Sequence, residues 1–348
     1  MAGGSGDRFW PKSRKLMPKQ FLPITGAKPM IENTVNRLKN IFSCRDIIII
    51  TGDLHAKRLK NILPCLPASN IIGEPEARNT AACAGLAAVK LREDDAVMML
   101  FPSDHVIKPE AEFRRILKHA ALIAENTDNL ITIGIKPTCG STAYGYIKQG
   151  KAFKDGGRAI KTFFADGFFE KPDKRTAERF SENGGYLWNS GIFVWRKKVI
   201  LAAMKKHLPD VYRQLLKLND KNIKRVYPSI RKISIDYGIM EKAKNVLVVE
   251  AGFSWNDVGS WEALGACFKK DKRGNIKQGS AIDLNGSNNM IFAEAGVVVT
   301  IGVSDLIVVS TGDATLVLKN GSGEEVKNAV EMLRRNKALK KYAEVKSN

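Results

Sequence analysis

Three groups of residues in this sequence have the types and spacing to do chemistry. The first is a glycine loop with cations beside it. The opening "MAGGSGDRFWPKSRKLMPKQF" sets Gly3, Gly4 and Gly6 just ahead of Arg8, with Lys19 further on. Glycine lets backbone N–H groups come close to phosphate oxygens. Two fixed cations beside such a loop suit a triphosphate. The loop is neither GxxxxGKS/T nor GxGxxG, and by itself a plain tight turn explains it about as well. The second group is a pair of loop carboxylates, Asp104 in "FPSDH" and Asp257 in "WNDVGSW". Each follows an apolar run, "AVMMLF" or "VLVVE". Ligands of open α/β sheets bind at the carboxyl ends of strands, where a carboxylate can hold magnesium. Two such groups meeting at one metal would serve phosphoryl chemistry. The third group is Glu170 and Lys171 in "FFEKPD" with Asn189 and Ser190 in "WNSGIF". In one pocket, an acid and an amide would bind sugar hydroxyls, and a lysine the phosphate. Each residue taken alone also reads as a polar turn or a helix cap.

The elements that must position these groups follow from hydrophobic pattern. "DIIIIT" (Asp46 to Thr51), "NIIGE" (Asn70 to Glu74), "AVMMLF" (Ala96 to Phe101) and "LITIGI" (Leu130 to Ile135) are short apolar runs. They read as buried parallel strands. Between them Ile31, Val35, Leu38 and Phe42 recur at helical spacing, "NTAACAGLAAVKL" begins with Asn79 and Thr80 as caps, and "AEFRRILKHAALIAE" forms a third helix. This alternation predicts a doubly wound α/β sheet. From Tyr144 to Trp195 mixed strands suggest an insertion covering the sheet edge. Helices are expected at Val199 to Lys206, Pro209 to Lys217 and Tyr237 to Lys244. Beyond Arg273, short β segments separated by Asn, Gly, Ser and Asp turns suggest a stacked, β-helix-like module. A last helix from about Gly323 to Lys337 aligns Val326, Val330 and Leu333 on one stripe.

Composition narrows the class. The 348 residues are 44% apolar and 26% charged, an ordinary globular balance. No apolar run reaches the roughly 18 residues of a membrane span, and no signal-peptide pattern is present. The cysteines (Cys44, Cys65, Cys83, Cys139, Cys267) form no CxxC pair, and His55, His105, His119 and His207 no HExxH, so a reduced cytoplasmic setting without zinc is expected. The net charge of +20 is spread along the whole chain, with no basic tail and no aromatic-interleaved block. It reads as a solvated basic surface, attractive to polyanionic small substrates, rather than as a nucleic-acid interface.

Taken in series, "GGSGDRFWPKSR", "GEPEARNTA", "FPSDH", "YGYIK", "FFEKPD", "WNSGIF" and "WNDVGSW" resemble the mannose-1-phosphate guanylyltransferase family. The resemblance implies an α/β nucleotide-diphosphosugar transferase fold, Rossmann-like with a mixed central sheet. It also implies a small C-terminal β-helix-like module and a terminal helix. A nucleotidyltransferase domain would cover residues 1–268, and the module with its helix 275–348. The implied reaction joins GTP and α-D-mannose 1-phosphate to give GDP-mannose and pyrophosphate. Carried over residue by residue, Gly3, Gly4, Gly6, Arg8 and Lys19 would hold the triphosphate, and Asp104 and Asp257 magnesium. Glu170, Lys171 and Asn189 would hold mannose 1-phosphate, with Gly145 close to the sugar. Glu74 is the candidate acceptor for the paired donors of guanine, with backbone at Asn79 and Thr80 near the base; a solvated loop glutamate is its plain alternative. Expected partners are the two substrates, with no nucleic acid, no membrane and a possible homodimer.

Another sugar 1-phosphate or nucleotide is the alternative reading, since pocket detail and not fold decides it. A catalytically dead binding subunit is disfavoured by Lys19, Asp104, Lys171 and Asp257 occurring together. The chain departs from the family twice. Met1 and Ala2 stand where an apolar strand usually precedes the glycines, and Asp7 where threonine is commoner. The first departure leads to the expectation that the natural chain starts upstream. Adding an apolar β-branched segment ahead of Ala2 is expected to raise the melting temperature and lower KM for GTP, and identical values in both forms would refute it.

Overall fold

The computed structural model describes residues 1–154 and 160–344. Its strands are β1 (Ile49–Gly52), β2 (Ile71–Glu74), β3 (Val97–Leu100), β4 (Val106–Lys108), β5 (Leu130–Ile135), β6 (Tyr146–Ala152), β7 (Thr162–Phe169), β8 (Tyr186–Arg196), β9 (Val246–Glu250), β10 (Ser254–Asn256), β11 (Ile276–Leu284), β12 (Met290–Ile301), β13 (Leu306–Ser310) and β14 (Thr315–Lys319). The helices are α1 (Met30–Leu38), α2 (Asp53–Ile62), α3 (Asn79–Lys90), α4 (Glu110–Asn126), α5 (Lys174–Glu182), α6 (Lys197–His207), α7 (Pro209–Leu216), α8 (Ile223–Val226), α9 (Trp261–Gly265), α10 (Glu325–Arg335) and α11 (Lys341–Glu344). They form two compact units. One comprises Met1–Gly3, Arg37–Pro102 and Ile107–Trp255; the other comprises Gly4–Asn36, Ser103–Val106 and Asn256–Asn348.

The first unit is built on a six-stranded sheet in the order β3-β8-β5-β9-β7-β6, with β1 and β2 as a separate parallel pair. β8 runs antiparallel to both β3 and β5, while β5 and β9 are parallel. The sheet is therefore mixed, as the family resemblance implies, and β3 and β5 run in the same sense on either side of β8. The edge-covering insertion is corrected in part: β6 and β7 lie at the sheet edge, while β8 lies inside the sheet. The reason is apolar content. Ile192, Phe193, Val194 and Trp195 succeed one another without alternation and are all buried, which needs cover on both faces of the strand. β5 is buried at every position for the same reason. Against β3 and β8 pack α3, α6 and α7. α3 is rich in small residues, and a Cβ on Gly85 would lie 2.2 Å from Leu215 Cδ1, so a larger residue there would force Leu215 to repack. At the chain start, Ala2 donates its N–H to the Ile50 carbonyl at 2.8 Å and accepts from Thr51 Oγ1 at 2.9 Å. The Met1 amino group donates to the Phe101 carbonyl at 2.8 Å. Met1–Gly3 thus lie beside the carboxyl ends of β1 and β3. The helix expected from Tyr237 is a single π-helical turn, Asp236–Met240. Gly238 presses there on Leu208, 2.9 Å from a Cβ position, where a weak helix former meets close packing.

In the second unit β11, β12 and β13 pair parallel and β14 closes the sheet antiparallel. The turns between them use left-handed corners, which asparagine and aspartate tolerate: Asn285, Asn288 and Asp305 all have φ between 55° and 60°. Two buried asparagines stack beneath the corners. Asn289 N–H donates to Asn275 Oδ1 at 2.8 Å, and Leu306 N–H to Asn289 Oδ1 at 3.0 Å. The core joins Phe9, Leu22, Ile24 and Met30 to Trp261, Phe292, Ile307 and Val309. Phe9 and Phe292 flank Trp261 at 5.1 and 5.2 Å. The segment carrying Arg8 and Lys19 is thereby anchored on the stacked strands of its own unit. α10 adds Val326 to this interior, and its Val330 is buried too.

Candidate active site

In the second unit the glycine loop is shaped by two left-handed residues, Gly4 at φ 95° and Gly6 at φ 64°. A Cβ on Gly6 would lie 2.6 Å from Lys19 Cβ and 2.9 Å from the Lys19 amide nitrogen. Glycine at this position is what lets Lys19 close on the loop. The Gly6 carbonyl accepts from Phe9 N–H at 2.8 Å and Ser13 Oγ at 2.7 Å, which locks the following turn. The Lys19 ammonium is buried. It donates to Asp104 Oδ2 and to the Asp257 backbone carbonyl, both at 2.7 Å. Residues from three distant stretches therefore meet at one cation. Burial alone would raise the Asp104 carboxyl, but Lys19 and His105 outweigh it and hold the group below the usual carboxylate range. The Asp257 loop is held tightly: Asn256 Oδ1 accepts from Val258 N–H at 2.6 Å, and Ser260 caps α9. Val258 sits at φ 48°, a rare state for a β-branched residue, of the kind concentrated at functional sites. Arg8 is turned to Glu324 at 2.8 Å. Asp7 is gripped through both carboxylate oxygens by Arg334, at 2.8 and 2.9 Å.

In the first unit Gly3 lies beside Glu74, whose Oε2 would be 3.9 Å from a Cβ there. Glu74 is buried and accepts the Tyr227 hydroxyl on Oε1. Burial pushes its carboxyl up, and the Tyr227 bond offsets part of that. Asn79 adopts φ 67° at the start of α3, with its Oδ1 on the Thr80 N–H at 2.8 Å. Thr80 Oγ1 in turn accepts from Ile235 N–H at 2.8 Å. The next residue, Asp236, accepts from Asn189 Nδ2 at 2.7 Å. The Asn189 Oδ1 accepts from Thr132 Oγ1 at 3.2 Å, so the amide orientation is set on both sides. Gly145 is tight against this group: a Cβ there would lie 2.4 Å from Glu170 Oε2 and 3.6 Å from Asn189 Cβ. Lys171 stands at φ 49° with its ammonium 3.8 Å from Glu170. Burial and the neighbouring Asp236 both push the Glu170 carboxyl up, while Lys171 opposes them. Gly145, Glu170, Lys171 and Asn189 are thus brought together. Ser190 is turned away, donating to the Ile133 carbonyl at 2.6 Å.

Sequence reasoning missed Asp236 and Tyr227. Asp236 had a faint signal, as a carboxylate just ahead of the segment read as helical from Tyr237. Tyr227 had none, because its link to Glu74 spans much of the chain.

The mixed sheet and the stacked-strand module that follows it in sequence are those of a nucleotidyl transferase, as the family models show. A family model described as "Nucleotidyl transferase" matches residues 1–274, and one described as "MannoseP isomerase/GMP-like beta-helix domain" matches residues 279–333. The mannose-1-phosphate guanylyltransferase of Salmonella montevideo is 37% identical, covering 96% of this chain and 73% of its own. That of Escherichia coli K12 is 36% identical, with 96% and 72% covered. A crystal structure from Thermus thermophilus, described as a mannose-1-phosphate geranyltransferase, is 32% identical with a TM-score of 0.84, covering 96% of this chain and 98% of that one. The chain belongs to the mannose-1-phosphate guanylyltransferase family.

Proposed function

We propose that the chain makes GDP-mannose and pyrophosphate from GTP and α-D-mannose 1-phosphate, by in-line attack of the sugar phosphate on the α-phosphorus. The observation that carries this reading is the Lys19 ammonium, which ties the glycine-loop segment to Asp104 and to the Asp257 loop. The nucleophile needs no general base. A phosphate monoester with a second pKa near 6 is already largely anionic at pH 7. What the protein must supply is position and charge, because two polyanions meet and negative charge grows on the leaving pyrophosphate. Gly3, Gly4, Gly6, Arg8 and Lys19 take the triphosphate. Arg8 is expected to exchange Glu324 for phosphate. Glu170 and Asn189 take sugar hydroxyls beside Gly145, and Lys171 the sugar phosphate.

Among the described residues no group of three or more His, Cys, Asp or Glu forms a ready metal cage. Magnesium seldom needs one, since it commonly uses one or two carboxylates with substrate phosphates. Asp104, held ionised by Lys19, and Asp257 fit that donor set, and we infer that they hold it. When bound it would neutralise phosphate charge. Among the described residues no helix is long and apolar enough to cross a membrane. From cysteine usage, five scattered residues without a CxxC pair, we infer a reduced, cytoplasmic setting. We also infer a homodimer. On β11 and β12, Ile282 faces Val299 and Leu284 faces Ile301 in register, all four exposed by more than half. Such a contiguous apolar strip suits a second copy of the chain. Finding only monomer by ultracentrifugation would remove this inference.

The test of function is product formation with a panel of nucleoside triphosphates and sugar 1-phosphates. GTP with mannose 1-phosphate is expected to lead in kcat/KM, and a clear lead by any other pair overturns the reading. Base choice gives a narrower prediction. Glu74→Gln keeps an acceptor for the Tyr227 hydroxyl and removes the pure acceptor carboxylate. GTP is expected to lose more than ATP does. Glu74 binds its proton more tightly when folded, so its contribution to stability falls as pH rises through that elevated value. The Gln variant is therefore expected to melt higher at pH 8. An unchanged GTP-to-ATP ratio together with that stabilisation would make Glu74 a purely structural residue.

A further inference from the structure

Asp7 puts a carboxylate into the loop that the proposed function assigns to a triphosphate. An uncompensated negative charge there repels the substrate, the more strongly as the local dielectric falls. The charge is compensated. Arg334 Nη1 donates to Asp7 Oδ2 at 2.9 Å and Nη2 to Oδ1 at 2.8 Å. Two parallel bonds from one guanidinium are the strong, orientation-specific form of this contact. The Asp7 side chain is only 15% exposed, so water competes little. The neighbouring residue makes a single, more exposed contact to the same helical segment. Arg8 reaches Glu324, at the residue before α10, while Arg334 lies in the last turn of the same helix. Two successive loop residues are therefore tied to opposite ends of one helix. α10 is itself fixed by buried Val326 and Val330, and the turn Asp7–Phe9 by buried Phe9.

We propose that Arg334 is a positioning residue for nucleotide binding: it neutralises Asp7 and holds the turn after Gly6, so that a loop carrying a carboxylate can still grip a polyanion. The proposal rests on the reading of Gly3 to Arg8 as a triphosphate loop. It differs in sign from a plain structural staple. If neutralisation matters, the harm of losing Arg334 comes from the carboxylate left behind, and removing that carboxylate as well repairs it. If only the tie matters, losing either partner does equal harm and losing both repairs nothing.

The experiment measures Kd for GTP by calorimetry, KM for each substrate, and thermal unfolding, on the full chain. The variants are Arg334→Ala, Asp7→Thr, the double variant and Arg334→Lys. Arg334→Ala is expected to weaken GTP binding and raise KM for GTP by roughly tenfold, the scale of one charge-assisted contact. KM for mannose 1-phosphate and kcat are expected to stay within about twofold, since no contact to the sugar side is lost. The double variant is expected to return to within about twofold of the parent, because the repelling charge is gone. Arg334→Lys keeps the charge and is expected to bind GTP nearly as the parent does, which decides the matter if the alanine variant folds poorly. A double variant as weak as Arg334→Ala, or Arg334→Ala with unchanged GTP affinity, overturns the proposal. Wild-type chain that binds GTP but makes no GDP-mannose overturns the functional reading, while the calorimetric comparison still decides the role of Arg334.

Discussion

Asp104→Asn is expected to lower the rate of GDP-mannose formation by roughly 10²–10³, the usual effect of losing about 2.7–4 kcal/mol of charge stabilisation. The fold is expected to survive. The Asp104 side chain is 32% exposed, and the asparagine oxygen can still accept from Lys19. What disappears is the ionised oxygen that the inferred magnesium site requires. The pH dependence follows from the direction of the shift. Burial works to raise the Asp104 carboxyl, yet Lys19 and His105 prevail and hold it low. Its contribution to stability is therefore complete above the unfolded carboxyl value and is lost as pH falls through the depressed folded value. Asp104→Asn is expected to flatten the acid limb of the melting profile as well as to slow turnover. Near-normal turnover with magnesium present would remove Asp104 from the chemistry.

Lys19→Met is expected to be at least as damaging to rate, again roughly 10²–10³. Unlike Asp104→Asn it is also expected to cost stability. The Lys19 side chain is 7% exposed and its ammonium serves two acceptors at 2.7 Å. Methionine fills the space but takes the ammonium away from the half-buried Asp104 carboxylate and Asp257 carbonyl. Losing such a charged donor costs about 1–3 kcal/mol. The loss stays below the roughly 3–5 kcal/mol of a fully buried broken ion pair, because water still reaches Asp104. Combining Lys19→Met with Asp104→Asn removes the uncompensated charge, so the double variant is expected to regain stability without regaining activity. A Lys19→Met variant that melts and turns over like the parent would mean that the three segments meet there without consequence.

Several elements were legible because their cause is local. "LITIGI" became β5 residue for residue, since a continuous apolar run bounded by polar residues has few folded alternatives. The alanine-rich run from Asn79 became α3, and the Asn, Asp and Gly corners after Arg273 became a parallel stack. The grouping of several candidate residues also has a local sign in the sequence. Motifs with a fixed spacing, such as "FFEKPD" and "WNSGIF", carry the residues that the fold gathers at Gly145. Strand order was not legible: nothing in the chain placed β8 between β3 and β5. Hydrophobic pattern reports which side chains are buried, and it does not say which strands are neighbours.

What the sequence determined by itself is the inventory: which runs are strands and helices, where the chain turns, and which side chains carry charge into loops. Those follow from backbone preferences and from burial over a few residues. The tertiary structure alone decided which partners these groups have. Only the fold put β8 between β3 and β5, set Asn189 on Asp236, turned the hydroxyl of Tyr227 to Glu74 and closed Arg334 on Asp7. Such contacts join residues far apart along the chain, and no local preference encodes them. They exist because burying the apolar faces of both units leaves these polar groups next to one another. There, an unpaired charge or hydrogen-bonding group would be costly to leave unmatched.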